Sequence, residues 1–195
     1  MLYRLPLAGT PAHLLIVGDR GAELLAGWPG EAAAWPLDTL ADRLQRADAP
    51  AFDALAMPGL LCSGGRTIVE GFSGVSLLSA LSGRLVPGGV VVGDAPRSWA
   101  ARHRLASSGV GRLRSTLEGA GLTDVECYFV SPSIDDPMTL IPAERRASNA
   151  HFRRQLARAR PHFTPLGYAL RAMAIALSLG ARDQCSILFW ARRPC

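Results

Sequence analysis

The sequence predicts an α/β fold: a three-layer sandwich with a mainly parallel sheet, a C-terminal antiparallel strand and a helical insertion. Three observations predict it. Short apolar runs that stop at Gly or Asp alternate with segments of helical spacing, as in repeated strand–helix units. A composition 49% hydrophobic and only 19% charged suits strands buried on both faces. The 20 Gly and 14 Pro are scattered singly and in pairs, as turn punctuation rather than low complexity. The 195 residues fit one domain, 1–195, with the helical insertion at 131–183.

His13 to Val17 (HLLIV) is an apolar run ending at Gly18-Asp19-Arg20-Gly21, a buried strand that feeds a turn and then a helix over 22–28. Ala32 to Leu37 is a second strand ending at Asp38, with helical spacing from Thr39 to Ala47. Phe52 to Met57 (FDALAM) is a strand stopped by Pro58-Gly59. The Gly- and Ser-rich stretch 63–74 reads as a loop into a helix over 75–84. A Pro87-Gly88-Gly89 turn follows, then a β-branched strand, Val90 to Val92, ending at Gly93-Asp94. Val110 to Gly119 is helical with Gly121 as its stop, and Val125 to Val130 alternates as a strand. SPSIDDP reads as loop. Ala143 to Arg160 is a basic helix between prolines, Leu166 to Leu179 an apolar helix, and Ser186 to Ala191 a closing strand.

All 21 basic side chains are arginine. With no lysine there is no Schiff-base amine, no pyridoxal phosphate anchor and no P-loop lysine. From Pro142 to Cys195 ten Arg face Glu144 and Asp183, a net of +8, so residues 1 to 141 carry −3 of the chain's +5. The basicity belongs to the C-terminal quarter, and it lacks the interleaved aromatics of a nucleic-acid surface. Cys62, Cys127, Cys185 and Cys195 form no ligand spacing. The opening MLYRLPLAGTPAH lacks a signal peptide's charged start and long apolar stretch, and no window approaches the roughly 20 apolar residues of a membrane span. The expectation is a soluble, reduced, cytoplasmic protein.

Leu85-Val86-Pro87-Gly88-Gly89, then Leu117-Glu118-Gly119-Ala120-Gly121-Leu122, then the terminal SILFWARRP form an ordered set. Their order and spacing resemble the second half of the class I S-adenosylmethionine (SAM)-dependent methyltransferases. The resemblance covers about residues 13 to 130 plus 185 to 193. It implies a Rossmann-like fold, SAM as cofactor and a small-molecule acceptor, in a biosynthetic pathway. The family's first strand usually carries an acid and ends in a G-x-G-x-G turn. Here Ile16 stands at the acid's place, Arg20 replaces the middle glycine, and Gly18 and Gly21 remain.

On that resemblance Gly18, Asp19 and Gly21 are candidate cofactor residues, because glycine lets backbone approach a nucleoside closely. The competing reading is a plain strand-to-helix turn. Asp38 lies 20 residues beyond Gly18, a spacing that suits a carboxylate accepting from ribose hydroxyls. It is equally an N-cap for a helix beginning at Thr39. Met57 and Pro58 stand where the family sets backbone groups and a polar side chain beside the methyl donor, but here the position is apolar. Between Asp38 and Phe52 the chain is too short for the family's usual helix, third strand and loop, so one strand is expected to be missing or rudimentary. Asp48 is then the only candidate for the acid that meets adenine.

No residue stands out as catalytic. His103, His151, His162 and Asp94 are candidate general bases, each histidine being also readable as a solvated helix residue. Tyr128 reads as sheet packing. Arg145, Arg146, Arg153, Arg154, Arg158 and Arg160 in the insertion are either a solvated helix face or a contact for an anionic substrate, a protein partner or a membrane surface. The apolar helix beside them suits a buried lid, a homodimer contact or a lipid-like ligand. The alternative function is a catalytically inactive methyltransferase-like protein acting as a binding or scaffolding partner. An NAD-type enzyme fits less well, since Gly18-Asp19-Arg20-Gly21 is not G-x-G-x-x-G.

Overall fold

In a computed structural model the described residues are 13–18, 30–46, 51–61, 65–96, 106–132, 137–176 and 186–195. One seven-stranded sheet organises them, in the order β2-β1-β3-β4-β7-β5-β6. The strands are β1 (His13–Val17), β2 (Glu31–Trp35), β3 (Phe52–Met57), β4 (Leu85–Pro96), β5 (Thr123–Pro132), β6 (Pro137–Pro142) and β7 (Ser186–Arg192). The helices are α1 (Leu40–Gln45), α2 (Gly74–Ser82), α3 (Ala106–Gly119), α4 (Arg145–Arg158) and α5 (Pro165–Ala176). The pairs β1–β2, β1–β3 and β3–β4 are parallel. β7 then enters antiparallel between β4 and β5, and β6 pairs antiparallel with β5. This is the α/β sandwich expected from the sequence, with its closing antiparallel strand.

Burial explains the apolar runs. Leu15, Val17, Leu55, Met57, Val91 and Phe189 point into one core with Leu77, Leu78, Leu81, Leu113 and Leu117 of α2 and α3. Leu14, Ile16, Ala54 and Ala56 form a second cluster on the opposite face. Strands buried on both faces cannot alternate polar and apolar residues, which is why β1 and β3 read as continuous apolar runs.

Local chemistry sets the helix ends. Ser73 caps α2: its hydroxyl accepts the Ser76 N–H at 3.0 Å while the Ser76 hydroxyl accepts the Ser73 N–H at 2.9 Å, a reciprocal capping box. α3 ends in a Schellman motif, with Leu122 N–H on the Leu117 carbonyl and Gly121 N–H on the Glu118 carbonyl. Gly121 takes the left-handed conformation that motif requires (φ 83°).

Three expectations need correction. Pro87-Gly88-Gly89 is not a turn between helix and strand but part of β4, which runs unbroken from Leu85 to Pro96. Gly88 at φ 78° lets the strand jog while staying paired: its N–H reaches the Arg193 carbonyl, and the Arg193 N–H reaches the Gly89 carbonyl. Second, Asp38 does not cap a helix. It lies inside a 3₁₀ turn, Leu37–Thr39, and α1 starts one residue later, with Thr39 at its N-cap position. Third, SPSIDDP is not all loop and the insertion 131–183 not all helical: Ser131 and Pro132 end β5, and Pro137 begins the edge strand β6, Pro137–Pro142. The basic helix is shorter than expected, Arg145–Arg158, with a separate 3₁₀ turn over Arg160–His162. The helix expected over 22–28 and the end of the apolar helix lie outside the described residues.

Candidate functional site

In an open sheet of this kind the ligand crevice lies beyond the carboxyl ends of the strands, where successive connections diverge. Here β1 is that point: β2 pairs on one side of it and β3 on the other. Gly18, Asp38, Pro58-Gly59 and Asp94 follow the ends of β1, β2 and β3 or close β4, so the topology collects them on one rim.

The backbone there is tightly determined. Gly18 continues β1 with its N–H on the Trp35 carbonyl at 3.0 Å, then turns at φ 133°, a conformation L side chains rarely adopt. A Cβ at Gly18 would lie 3.5 Å from the Pro58 carbonyl oxygen and 3.8 Å from its ring. Gly18 and Pro58, two of the sequence candidates, are therefore neighbours. The Met57 side chain is fully buried in the core, so this residue can offer the rim only backbone. Asp38 is exposed. Asp19 and Gly21, like Asp48 and His103, lie outside the described residues.

Asp94 is built into the rim. Its Oδ1 accepts the Gly59 N–H at 2.9 Å, tying the turn after β3 to the end of β4. Beside it Gly93 leaves no room for a side chain: an added Cβ would fall 2.6 Å from Cζ of Phe189 and 2.9 Å from the Met57 carbonyl. That close approach seats β7 against β4, in register Gly93↔Phe189 and Asp94↔Leu188, and so fixes where the Asp94 carboxylate emerges. The sequence named Asp94 as an acid but not its bond to Gly59. The only signal was the polar residue closing an apolar strand.

The other candidates stand apart from this rim. His151 lies on α4, which packs on β6 and α5 at the far edge of the sheet, and its Nε2 is buried without a hydrogen-bond partner among the described residues. His162 is exposed in the following 3₁₀ turn. The Tyr128 hydroxyl donates to Glu126 Oε2, which also accepts from Trp190 Nε1 at 3.1 Å. The bond to the Glu126 carboxylate, with partial burial, raises the Tyr128 pKa above the ordinary phenol value. Tyr128 thus donates within its own strand, and Glu126 is the acceptor that also links β5 to Trp190 of β7. Burial pushes the Cys127 thiol up to about 11, against a smaller lowering by Arg114, so it is no thiolate nucleophile near neutrality. No cluster of three or more metal-ligating side chains occurs among the described residues.

No protein-family profile and no curated protein sequence matches the chain. Solved structures do. The StiE O-MT domain superposes with a TM-score of 0.51 at 10% identity, covering 99% of this chain and 71% of that one. Phosphoethanolamine N-methyltransferase 2 of Haemonchus contortus, solved with phosphomonomethylethanolamine and S-adenosylhomocysteine, gives 0.49 at 14% identity over 100% of this chain. The chain spans about half of that protein, 51% of its length. The N-methyltransferase NodS of Bradyrhizobium japonicum gives 0.48 at 16% identity, with 100% and 93% covered. The fold is that of the class I SAM-dependent methyltransferases.

Proposed function

We propose that this chain binds SAM at the rim of β1, β2 and β3 and transfers its methyl group to a small-molecule acceptor. One observation carries the reading. A glycine held at positive φ closes β1 against Pro58, and an exposed carboxylate, Asp38, follows the neighbouring strand β2. Bare backbone beside an acceptor for hydroxyl hydrogens is the chemistry a nucleoside needs. The neighbours solved with SAM or S-adenosylhomocysteine agree with it.

Gly18 and Pro58 would border the nucleoside, with Asp19 and Gly21 as the further cofactor residues the resemblance names, Met57 contributing backbone and Asp38 accepting from ribose hydroxyls. SAM, when bound, supplies a methyl group activated on a sulfonium. The chain's part is to hold an acceptor in line with it, which needs orientation more than proton transfer. Where the acceptor must lose a proton, Asp94 is the rim carboxylate placed to take it, its orientation fixed by Gly59. The insertion 131–183 would shape the acceptor side. A biosynthetic role in the cytoplasm is the setting we assign.

Titration calorimetry with SAM and with S-adenosylhomocysteine tests the reading. Binding of both is expected, and a folded sample that binds neither would overturn it. The competing reading, a methyltransferase-like scaffold without catalysis, draws its support from Met57. This apolar side chain, fully buried, stands where the resemblance implies a polar group beside the methyl donor. Binding of SAM without turnover on any acceptor would favour it.

A further inference from the structure

α5 is apolar on both sides. Tyr168, Ala172 and Ile175 pack into the core cluster with Phe163. On the opposite side Leu166, Leu170 and Met173, spaced i, i+4, i+7, are 71%, 53% and 55% exposed, with Ala169 and Ala176 exposed beside them. A helix apolar all round normally has both sides covered, so this outer stripe asks for an occupant. Its surroundings say which kind. α4, packed against α5, exposes Arg146, Arg153, Arg154 and Arg158, and neither helix contains an acidic residue. Two more arginines lie at α5: Arg160, in the turn before it, over the Tyr168 ring at 5.7 Å, and Arg171, within it, over the Phe163 ring at 4.4 Å.

We propose that this face docks on an anionic lipid surface, with Leu166, Leu170 and Met173 entering the interface and the arginines of α4 and its following turn meeting headgroup phosphates. The sequence Glu144–Ala176 carries seven Arg against one Glu, a net of +6. Such a surface repels a second copy of itself and is attracted to a layer of negative charge. Apolar side chains bordered by guanidinium groups are the pattern of an interfacial helix rather than a spanning one. No described helix is long and apolar enough to cross a membrane. The docking surface is independent of the methyltransferase reading.

The test is co-sedimentation of the full chain with vesicles of phosphatidylcholine mixed with phosphatidylglycerol, and with pure phosphatidylcholine. Binding to the anionic vesicles alone is expected, weakening as salt rises. Because the three side chains are exposed, L166S/L170S/M173S should keep its circular dichroism spectrum and lose about tenfold or more in vesicle affinity. R153Q and R154Q should each cost about fivefold, on the scale of about 1 kcal/mol per basic residue near the surface. Absence of sedimentation at low salt, or unchanged affinity in the triple variant, would overturn the proposal. A concentration-dependent dimer that the triple variant dissolves, with no vesicle binding, would overturn it in favour of self-association.

Discussion

The two halves of the sheet are built differently. β2, β1 and β3 are 5, 5 and 6 residues long and pair only in parallel. β4, β5 and β7 run to 12, 10 and 7 residues and interlock antiparallel. The candidate ligand rim lies on the short strands and at the β3–β4 junction, whereas the longest ladders lie on the other side. Long ladders anchor the fold there, whereas β1 and β3 bury their side chains on both faces and leave backbone at the rim, as at Gly18 and Met57. Stability and chemistry are separated along one sheet, and substitutions should divide accordingly.

The sharpest break is expected at the junction. Asp94→Asn keeps an oxygen for the Gly59 N–H but cannot accept a proton, so an acceptor that needs deprotonation should lose about 10²- to 10⁴-fold in kcat, with SAM affinity retained. Equal losses in SAM affinity and rate would instead make Asp94 a structural tie. In the antiparallel half Phe189, fully buried against Gly93, is the converse case. Phe189→Ala should cost about 3–5 kcal/mol in denaturant unfolding. A smaller cost would show that this half does not anchor the sheet. Asp38→Ala should lower SAM affinity by about 1–3 kcal/mol in calorimetry while leaving the unfolding midpoint unchanged, since the side chain is exposed and caps no helix. Unchanged affinity would remove Asp38 from the site. The smallest effect is expected at Gly121→Ala, which forces a Cβ into φ 83° at the end of α3 and should cost about 1–2 kcal/mol with no change in SAM binding.

The same division decides what could be read from the sequence. β1 and β3 were legible to the residue because each is a compact apolar run closed by Gly or Pro. The end of α3 was legible because Gly121 is a local signal. Pro87-Gly88-Gly89 was misread as a turn, since what keeps it in β4 is pairing with Arg193, more than a hundred residues away. β6 was missed because prolines at both ends make it look like loop, and only its edge position tolerates them. At the rim, the likeness between Gly18 and a nucleoside-binding turn was visible, while the contact of Gly18 with Pro58 and the bond from Gly59 to Asp94 needed the strands aligned. One strand was expected to be missing or rudimentary between Asp38 and Phe52; among the described residues β2 lies at that edge of the sheet.

Those prolines also bear on how the molecule behaves in a crowd. An outermost strand normally offers a row of N–H donors on which a foreign strand can grow. Pro137 and Pro142 have none, and alternate N–H groups between them face β5, which leaves roughly two outward donors. The long antiparallel half therefore ends in a short border with one outward donor fewer than a proline-free strand of that length would offer an incoming chain.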